Sequence, residues 1–219
     1  MQDFNSVKQV TEELKTKNID VLMLNAGAYK IPRNKTSLGF DNVFQINFIS
    51  PYYMVRELLP VLNKKDCARV VVVGSIAHNY SKINENDIDF SREQKPSKVY
   101  GNAKRFLMYS LYELFKFEKN VKLSICHPGI TYTNITSHYP KLINMIIKYP
   151  MKIIFMSPKK ASLNMIKSIF ADTQYHTWIG PRIFNVWGYP RKINLYTTTS
   201  VESNKIGEIA ENIYNNIKN

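Results

Sequence analysis

The sequence has few of the features that mark disulfide-bonded or metal-binding proteins. It contains two cysteines among 219 residues, and no His or Cys pair has metal-ligand spacing. Cys67 precedes one predicted strand and Cys126 ends another. If these strands are parallel neighbours, the two thiols lie at opposite ends, about 20 Å apart, and a disulfide needs Cα atoms within about 7 Å. We therefore expect two free thiols, no metal site and a reducing compartment.

Long apolar runs are also missing. No stretch of 18 uncharged apolar residues is present, so we predict no transmembrane helix. The first 15 residues are polar and amphipathic, which is typical of neither a signal peptide nor a transit peptide. These absences predict a cytoplasmic protein. A hydrophobic content of 44% over 219 residues is sufficient for the core of a single α/β domain.

Acidic residues are scarce relative to basic ones. Asp and Glu number 17 against 30 Lys and Arg, a net charge of +13. Such a balance fits nucleic acid, an anionic membrane or an acidic ligand. The lysines are scattered and no nucleic-acid-binding motif occurs, so we predict no nucleic-acid partner. Two interpretations remain, a solvated basic surface and a basic rim around a phosphate-bearing cofactor.

Apolar runs alternate with segments of helical periodicity along the chain. The pattern predicts strands at 19–24, 68–73, 121–126 and 175–179, and helices at 4–17, 36–62, 97–118, 158–171 and 201–218. Pro51 lies inside the second helix and should kink it or begin a new one. We expect Gly180-Pro181 to end the last strand. Alternating strands and helices are typical of a doubly wound parallel sheet.

Unusual residues follow three of the predicted strands. These are Asn25-Ala26-Gly27, Gly74-Ser75 and Pro128-Gly129. In a parallel sheet with right-handed crossovers, the carboxyl ends of the strands share one edge, and ligands bind there. The sequence therefore predicts a binding site at this edge.

Tyr100 and Lys104 are four residues apart in a helical pattern, so their side chains share one helix face. A neighbouring ammonium favours the phenolate, and we expect Lys104 to lower the pKa of Tyr100 from about 10. Tyr100 could then exchange a proton with a substrate oxygen near neutral pH. Ser75, at the end of a strand, could bring its hydroxyl to the same oxygen.

A serine followed by Tyr-x-x-x-Lys resembles the short-chain dehydrogenase/reductase family, and the phrase Gly74-Ser75-Ile76-Ala77-His78 resembles its retinol-dehydrogenase-like branch. The resemblance implies a Rossmann-like fold in which Ser75 orients the substrate oxygen and Tyr100 is the general acid/base. Lys104 would lower the pKa of Tyr100 and bind the nicotinamide ribose. Asn47 would distort its helix and, through an ordered water, extend a proton relay to the lysine.

The resemblance also implies a nicotinamide cofactor, NAD or NADP. Thr133 would contact the carboxamide. The segments 178–181 and 188–190 resemble the last strand and C-terminal loop of the family. The residues that the resemblance assigns to the cofactor are Asn25, Ala26, Gly27, Tyr100, Lys104, Pro128, Gly129, Ile130 and Thr133.

The segment 141–157 is apolar with interleaved lysines. In the family this region varies and covers the substrate, which implies a small lipophilic alcohol or carbonyl compound. Its lysines also fit contact with a membrane surface, and a helix pair packed on the core is an equal alternative. The two long helices, 36–62 and 97–118, correspond to a subunit contact in the family and imply a homo-oligomer.

One feature of the family is missing. No pair of the eight glycines has the spacing of a dinucleotide-binding turn, and the sequence aligns with the family from the helix before its fourth strand. We therefore expect a truncated Rossmann-like sheet of about four strands without the first three, with strand 19–24 as an open edge. The alternatives are an enzyme known through a mis-started reading frame, an inactive remnant that pairs through this edge, and one half of a split enzyme.

Overall fold

A single mixed sheet organises the chain. The computed structural model describes residues 1–130, 156–173, 175–195 and 198–218. Within these residues the sheet has five strands in the order β1-β2-β3-β4-β5. The first four are parallel and the fifth is antiparallel to the fourth. The strands are β1 (Val21–Leu24), β2 (Arg69–Val73), β3 (Lys122–Cys126), β4 (Thr177–Ile183) and β5 (Trp187–Asn194).

The central strands form where the sequence predicts them. Val70–Val73 is a run of β-branched residues that is buried along its whole length, as a strand covered by helices on both faces requires. Leu24 pairs with Val72, and Val73 pairs with Cys126. This register places the carboxyl ends of β1, β2 and β3 at one edge. The two cysteines are free thiols, Cys67 exposed and Cys126 buried.

Six α-helices surround the sheet in the described residues. Asp3 caps the first, since its carboxylate accepts from the Asn5 amide. Ser157 caps the fifth by accepting from the Lys160 amide. The helices are α1 (Phe4–Lys15), α2 (Asn42–Phe44), α3 (Ser50–Leu62), α4 (Pro96–Leu114), α5 (Pro158–Phe170) and α6 (Ser200–Lys218).

The predicted helix 36–62 begins late and is interrupted. Residues 36–41 form a turn, and the Asp41 carboxylate then caps α2 by accepting from the Val43 and Phe44 amides. A π-helical turn, Gln45–Ile49, joins α2 to α3. Pro51 lacks the N–H that an α-helix would direct to the Asn47 carbonyl. The π-helical turn therefore lies at the point where one α-helical hydrogen bond cannot form.

The prediction that Gly180-Pro181 ends the last strand is wrong. β4 continues to Ile183 and returns as β5 through the turn Phe184-Asn185. Both turn residues have positive φ, 49° and 58°, and the Val186 amide donates to the Ile183 carbonyl, which is a type I′ hairpin. Only Ile179 of β4 pairs with β3, so Pro181 interrupts no ladder on that side. The usual Asn-Gly signal for this turn is absent.

The C-terminal helix α6 packs along α4 and also reaches α3. The buried Arg105 guanidinium forms an ion pair with Glu202 at 2.7 Å, and Arg56 forms one with Glu211 at 2.9 Å. The Cβ of Glu113 would lie 2.9 Å from a Cβ added at Gly207, so the two helices approach closely. The chain therefore covers, with its own C-terminal helix, part of the two long helices from which a subunit contact was expected.

Candidate active site

Two of the three strand-end segments, Gly74-Ser75 and Pro128-Gly129, border a common cavity, and Asn25-Ala26-Gly27 is not among its lining residues. The cavity has a volume of about 310 Å³ and lies at the carboxyl edge of β2 and β3. Its wall combines the hydroxyls of two serines and the phenols of three tyrosines with mostly apolar surface. The lining includes Tyr29, Ser75, Ile76, Tyr100, His127, Pro128, Gly129 and Ile130.

Ser75 and Tyr100 meet in this cavity. Both side chains line it, and the Ser75 side chain acts on the phenol so as to lower the pKa of Tyr100. Ser75 also caps the short 3₁₀ turn Ile76–Tyr80, since its hydroxyl oxygen accepts from the Ala77 amide at 3.2 Å. The Nδ1 atom of buried His78 lies 2.6 Å from the Ser75 carbonyl oxygen. The loop after β2 therefore holds the serine in a defined position beside the phenol.

Gly101 explains how the helix comes close enough for this contact. A Cβ added to Gly101 would lie 2.2 Å from the Ala77 carbonyl oxygen, so only glycine fits here. A glycine inside a helix costs about 1 kcal/mol relative to alanine. The position of Gly101 directly after Tyr100, inside a helical pattern, was the sequence signal that two backbones come close at this point.

Replacing Gly101 by alanine should therefore push α4 and the serine loop apart. We expect a loss of unfolding free energy of about 2–3 kcal/mol, because the methyl group meets backbone rather than a movable side chain. Urea denaturation measures this loss of unfolding free energy. The control Gly39→Ala adds a methyl where no atom lies within 4 Å, at φ +82°, and should cost only about 1 kcal/mol. Equal losses for the two variants would contradict the close approach.

Lys104 is buried beneath the cavity, with 2% of its surface exposed. Its ammonium donates to the Val73 carbonyl oxygen at 2.9 Å and lies 5.8 Å from the centroid of the Tyr100 ring. The described residues give it no carboxylate partner. Burial accordingly lowers the pKa of Lys104 to about 8.

The pKa of Tyr100 shifts in the direction opposite to that expected from the spacing. Loss of water around the hydroxyl raises this pKa to about 12, and the nearby Ser75 side chain opposes the rise only in part. The spacing argument counted the charge of Lys104 but not the burial of both groups. Lys104 also directs its ammonium to the Val73 carbonyl rather than to the phenol.

Asn47 lies on the π-helical turn and reaches the loop after β1. Its Oδ1 atom accepts from the Ala28 amide at 3.1 Å, and its Nδ2 atom donates to the Ala28 and Val43 carbonyls, each at 2.8 Å. A Cβ at Gly27 would lie 2.8 Å from Asn47 Oδ1 and 3.5 Å from Lys104 Nζ. Gly27 thus lies between the amide and the amine, and Asn25 and Ala26 are exposed beside it.

Gly129 closes the other side of the cavity. Its φ of +86° favours glycine, and an added Cβ would lie 2.8 Å from the Val186 carbonyl oxygen and 2.9 Å from Pro181. The hairpin β4–β5 therefore packs directly on the cavity wall. Thr133 lies outside the described residues, as does nearly all of the segment 141–157.

Sequence reasoning gave no role to an aromatic cluster behind the serine loop. His127 stacks on Trp178 with ring centroids 5.0 Å apart, and His78 meets the same indole edge-on at 5.4 Å. Burial lowers the pKa of both histidines to about 4, so both are neutral at physiological pH. The sequence signals that could have indicated this cluster were the histidines in Ala77-His78 and His127-Pro128-Gly129, which follow strands β2 and β3.

Comparison with known proteins agrees with this architecture. The model of the short chain dehydrogenase family matches residues 1–87. Mouse retinol dehydrogenase 14 is 30% identical over 142 residues, which cover 63% of this chain and 42% of that protein. Human polyprenol dehydrogenase is 27% identical over 176 residues, covering 76% of this chain and 53% of that protein. The chain thus spans about half the length of the curated relatives it matches.

Two solved structures share the fold. An uncharacterised protein from Mycobacterium paratuberculosis superposes with a TM-score of 0.73 at 22% identity, over 98% of this chain and 73% of its own. The second is a 3-oxoacyl (acyl-carrier-protein) reductase from Agrobacterium tumefaciens, crystallised with NADP bound. It superposes with a TM-score of 0.53 at 17% identity, over 80% of this chain and 66% of its own.

Residues 1–87 belong to the short-chain dehydrogenase/reductase family. The curated relatives that the chain resembles include the retinol dehydrogenases 14 of mouse and human. In the described residues, no helix combines the length and the apolar character needed to cross a membrane.

Proposed function

We propose that this chain carries the substrate-side half of an NAD(P)-dependent oxidoreductase that interconverts a lipophilic alcohol and its aldehyde or ketone. One observation carries the proposal. The hydroxyls of Ser75 and Tyr100 both line a cavity at the carboxyl edge of the sheet, above the buried Lys104, to which the described residues offer no carboxylate partner. A buried cation without a carboxylate destabilises a fold, and such groups concentrate at functional sites.

In this mechanism the substrate oxygen binds between the two hydroxyls. During alcohol oxidation Tyr100 takes the hydroxyl proton, and during carbonyl reduction it returns one. Ser75 donates to the same oxygen and so stabilises the negative charge that develops there. Lys104, one helical turn from Tyr100, favours the phenolate when it is protonated. Asn47 holds the loop after β1 beside the lysine, and we propose that it takes part in the proton relay.

The residues around Lys104 fit the nicotinamide end of a dinucleotide. Gly27 adds no side chain beside Asn47 and Lys104, and Gly129 adds none beside Val186 and Pro181, so a ligand could approach the backbone at both positions. Bound there, the cofactor would supply the hydride acceptor or donor. We propose that Tyr100, Lys104 and the segments 25–27 and 128–130 hold it, together with Thr133. The sequence offers no glycine-rich turn for the pyrophosphate.

The remaining partners are inferred from the relatives and from sequence. Proteins named retinol dehydrogenase and polyprenol dehydrogenase suggest a lipophilic substrate. The apolar segment 141–157 suits a lid over it, and its lysines suit contact with a membrane. We also propose a cytoplasmic location and keep a homo-oligomer as a further expectation.

A second function rests on the open sheet edge. Within the described residues β1 pairs only with β2, and Val21 at its start is exposed. An unpaired edge strand can add a strand from another chain. The alternative proposal is therefore a catalytically inactive remnant, or one half of a split enzyme, that acts by pairing at β1.

Cofactor titration separates the two functions. The purified chain is titrated with NADH and NADPH while cofactor fluorescence is followed, and oxidation of a long-chain primary alcohol is assayed in parallel. The oxidoreductase proposal expects saturable binding of one cofactor and turnover. No binding of either cofactor would contradict an enzyme that works alone. Turnover only after addition of a polypeptide with a glycine-rich first strand would support the split enzyme.

A further inference from the structure

The turn of the β4–β5 hairpin exposes large apolar side chains. Phe184 is 90% exposed and Tyr189 is 80% exposed, while Ile183 and Trp187 are each more than 40% exposed. Trp187, Tyr189 and Arg191 alternate along β5 and so project from one face of the sheet. We call Ile183, Phe184, Trp187 and Tyr189 the hairpin tip. Four neighbouring exposed apolar residues on one element indicate an interaction surface.

Phe184 occupies a conformation that does not suit it. Its φ is +49°, in the left-handed region that favours glycine and asparagine and is rare for a bulky side chain. Strained residues persist where function requires them. The ring gains no compensating burial among the described residues, since it is 90% exposed. A partner into which an apolar ring can insert would supply that gain.

The charge around the hairpin tip defines that partner. Between residues 156 and 195 the sequence contains six Lys or Arg and one acidic residue, Asp172. The Asp172 carboxylate is already paired with Arg69 at 2.8 Å. Lys160 lies over the Trp187 ring, 5.3 Å from its centroid. The six cations lie on α5 and on the two strands of the hairpin and are Lys159, Lys160, Lys167, Arg182, Arg191 and Lys192.

This combination fits an anionic bilayer. Trp and Tyr favour the membrane interface, exposed Phe and Ile insert below it, and Lys and Arg bind acidic headgroups. A second copy of the chain is a poor partner for this surface, because two such faces would bring like charges together.

We infer that the hairpin tip docks this protein on the surface of membranes rich in anionic phospholipid. Because Val186 packs on Gly129, docking would bring the mouth of the cavity to the bilayer, where lipophilic molecules partition. β5 and β1 are opposite edges of the sheet, so docking leaves β1 accessible. The inference goes beyond the proposed function, since membrane binding requires no turnover.

Vesicle sedimentation tests the inference. The chain is mixed with phosphatidylcholine vesicles that contain phosphatidylserine, and with vesicles of phosphatidylcholine alone. We expect binding to the anionic vesicles, weakened by salt. Phe184→Gly should lower the partition coefficient at least about tenfold, although glycine suits the turn better than phenylalanine and should not weaken the fold. A thermal melt verifies the fold.

Phe117 provides a matched control. It is 84% exposed and follows α4, away from the hairpin. Phe117→Ala should leave binding unchanged. The emission of Trp187 should shift to the blue on binding, and Trp187→Phe, which keeps only the buried Trp178, should show no shift.

Three outcomes would overturn the inference. They are no binding to anionic vesicles, equal losses in Phe184→Gly and Phe117→Ala, and self-association in the absence of lipid that Phe184→Gly abolishes. None of these results depends on cofactor binding or turnover, so failure of this inference and failure of the proposed oxidoreductase are separate results.

Discussion

Phenylalanine in place of Tyr100 should lower kcat/KM for a lipophilic alcohol by about a thousandfold. The substitution removes one oxygen, which is the proposed proton acceptor and lies in the same cavity as Ser75. The ring can keep its edge-to-face packing on Tyr29, at 5.3 Å between centroids. The fold should therefore be unaffected, and a thermal melt verifies this.

Tyr29→Phe is the matched control, because it removes a second phenolic oxygen from the same cavity. It should change kcat/KM by less than about threefold, since no step is proposed for that oxygen. If the two variants lose activity equally, activity depends on the polarity of the cavity and not on Tyr100 as the general acid/base. If Tyr100→Phe keeps full activity, the proposed mechanism is wrong.

The raised pKa of Tyr100 also sets the pH dependence of the reaction. Alcohol oxidation requires the phenolate. Below a pKa of about 12 its fraction rises tenfold per pH unit, so oxidation should accelerate from pH 7 to 10 without a plateau due to Tyr100. Carbonyl reduction requires the phenol, which stays almost fully protonated over this range. Initial rates in both directions test the prediction, and a plateau in oxidation that Tyr100→Phe removes would show a lower pKa.

Methionine in place of Lys104 should stabilise the fold at pH 7 while abolishing activity. The pKa of Lys104 is lowered from 10.5 to about 8 by burial. Each pKa unit corresponds to about 1.4 kcal/mol, so keeping the charge buried destabilises the fold by about 3 kcal/mol. The variant also leaves the Val73 carbonyl unpaired, which costs about 1 kcal/mol. We expect a net gain of about 2 kcal/mol in urea denaturation.

The sign of the pH dependence follows from linkage. Between pH 8 and 10.5 the unfolded chain holds the Lys104 proton more tightly than the folded chain does, so the stability of the wild type rises with pH over this range. Below pH 8 the destabilisation is present in full. The advantage of Lys104→Met should therefore shrink as the pH rises from 8 to 10.5 and then vanish or reverse.

Lys98→Met controls for removal of a lysine from the same helix. The Lys98 side chain is 42% exposed and lies 3.4 Å from the Glu93 carboxylate. Its replacement should change stability by less than about 0.5 kcal/mol at either pH. Destabilisation by Lys104→Met that is the same at pH 7 and pH 10 would mean that the amine is structural.

Local pattern was sufficient to predict most elements, because it depends on neighbouring residues alone. The β-branched run Val70–Val73 and the spacing of Tyr100 and Lys104 required no distant information. Where an element depended on a distant partner or an unusual turn, prediction failed. The hairpin is the example, since Pro181 pairs opposite Pro190 and Phe184 supplies the positive φ.

The sequence alone determined which residues stand at the carboxyl ends of the strands, and therefore which groups share an edge. Strand order and spacing follow from periodicity, and periodicity is a local property. Only the tertiary structure decided the charge states in the cavity. The pKa values of Tyr100 and Lys104 depend on how many atoms exclude water from each group. Those atoms come from β2, the serine loop and the strand-end segments, and their packing is a property of the whole fold.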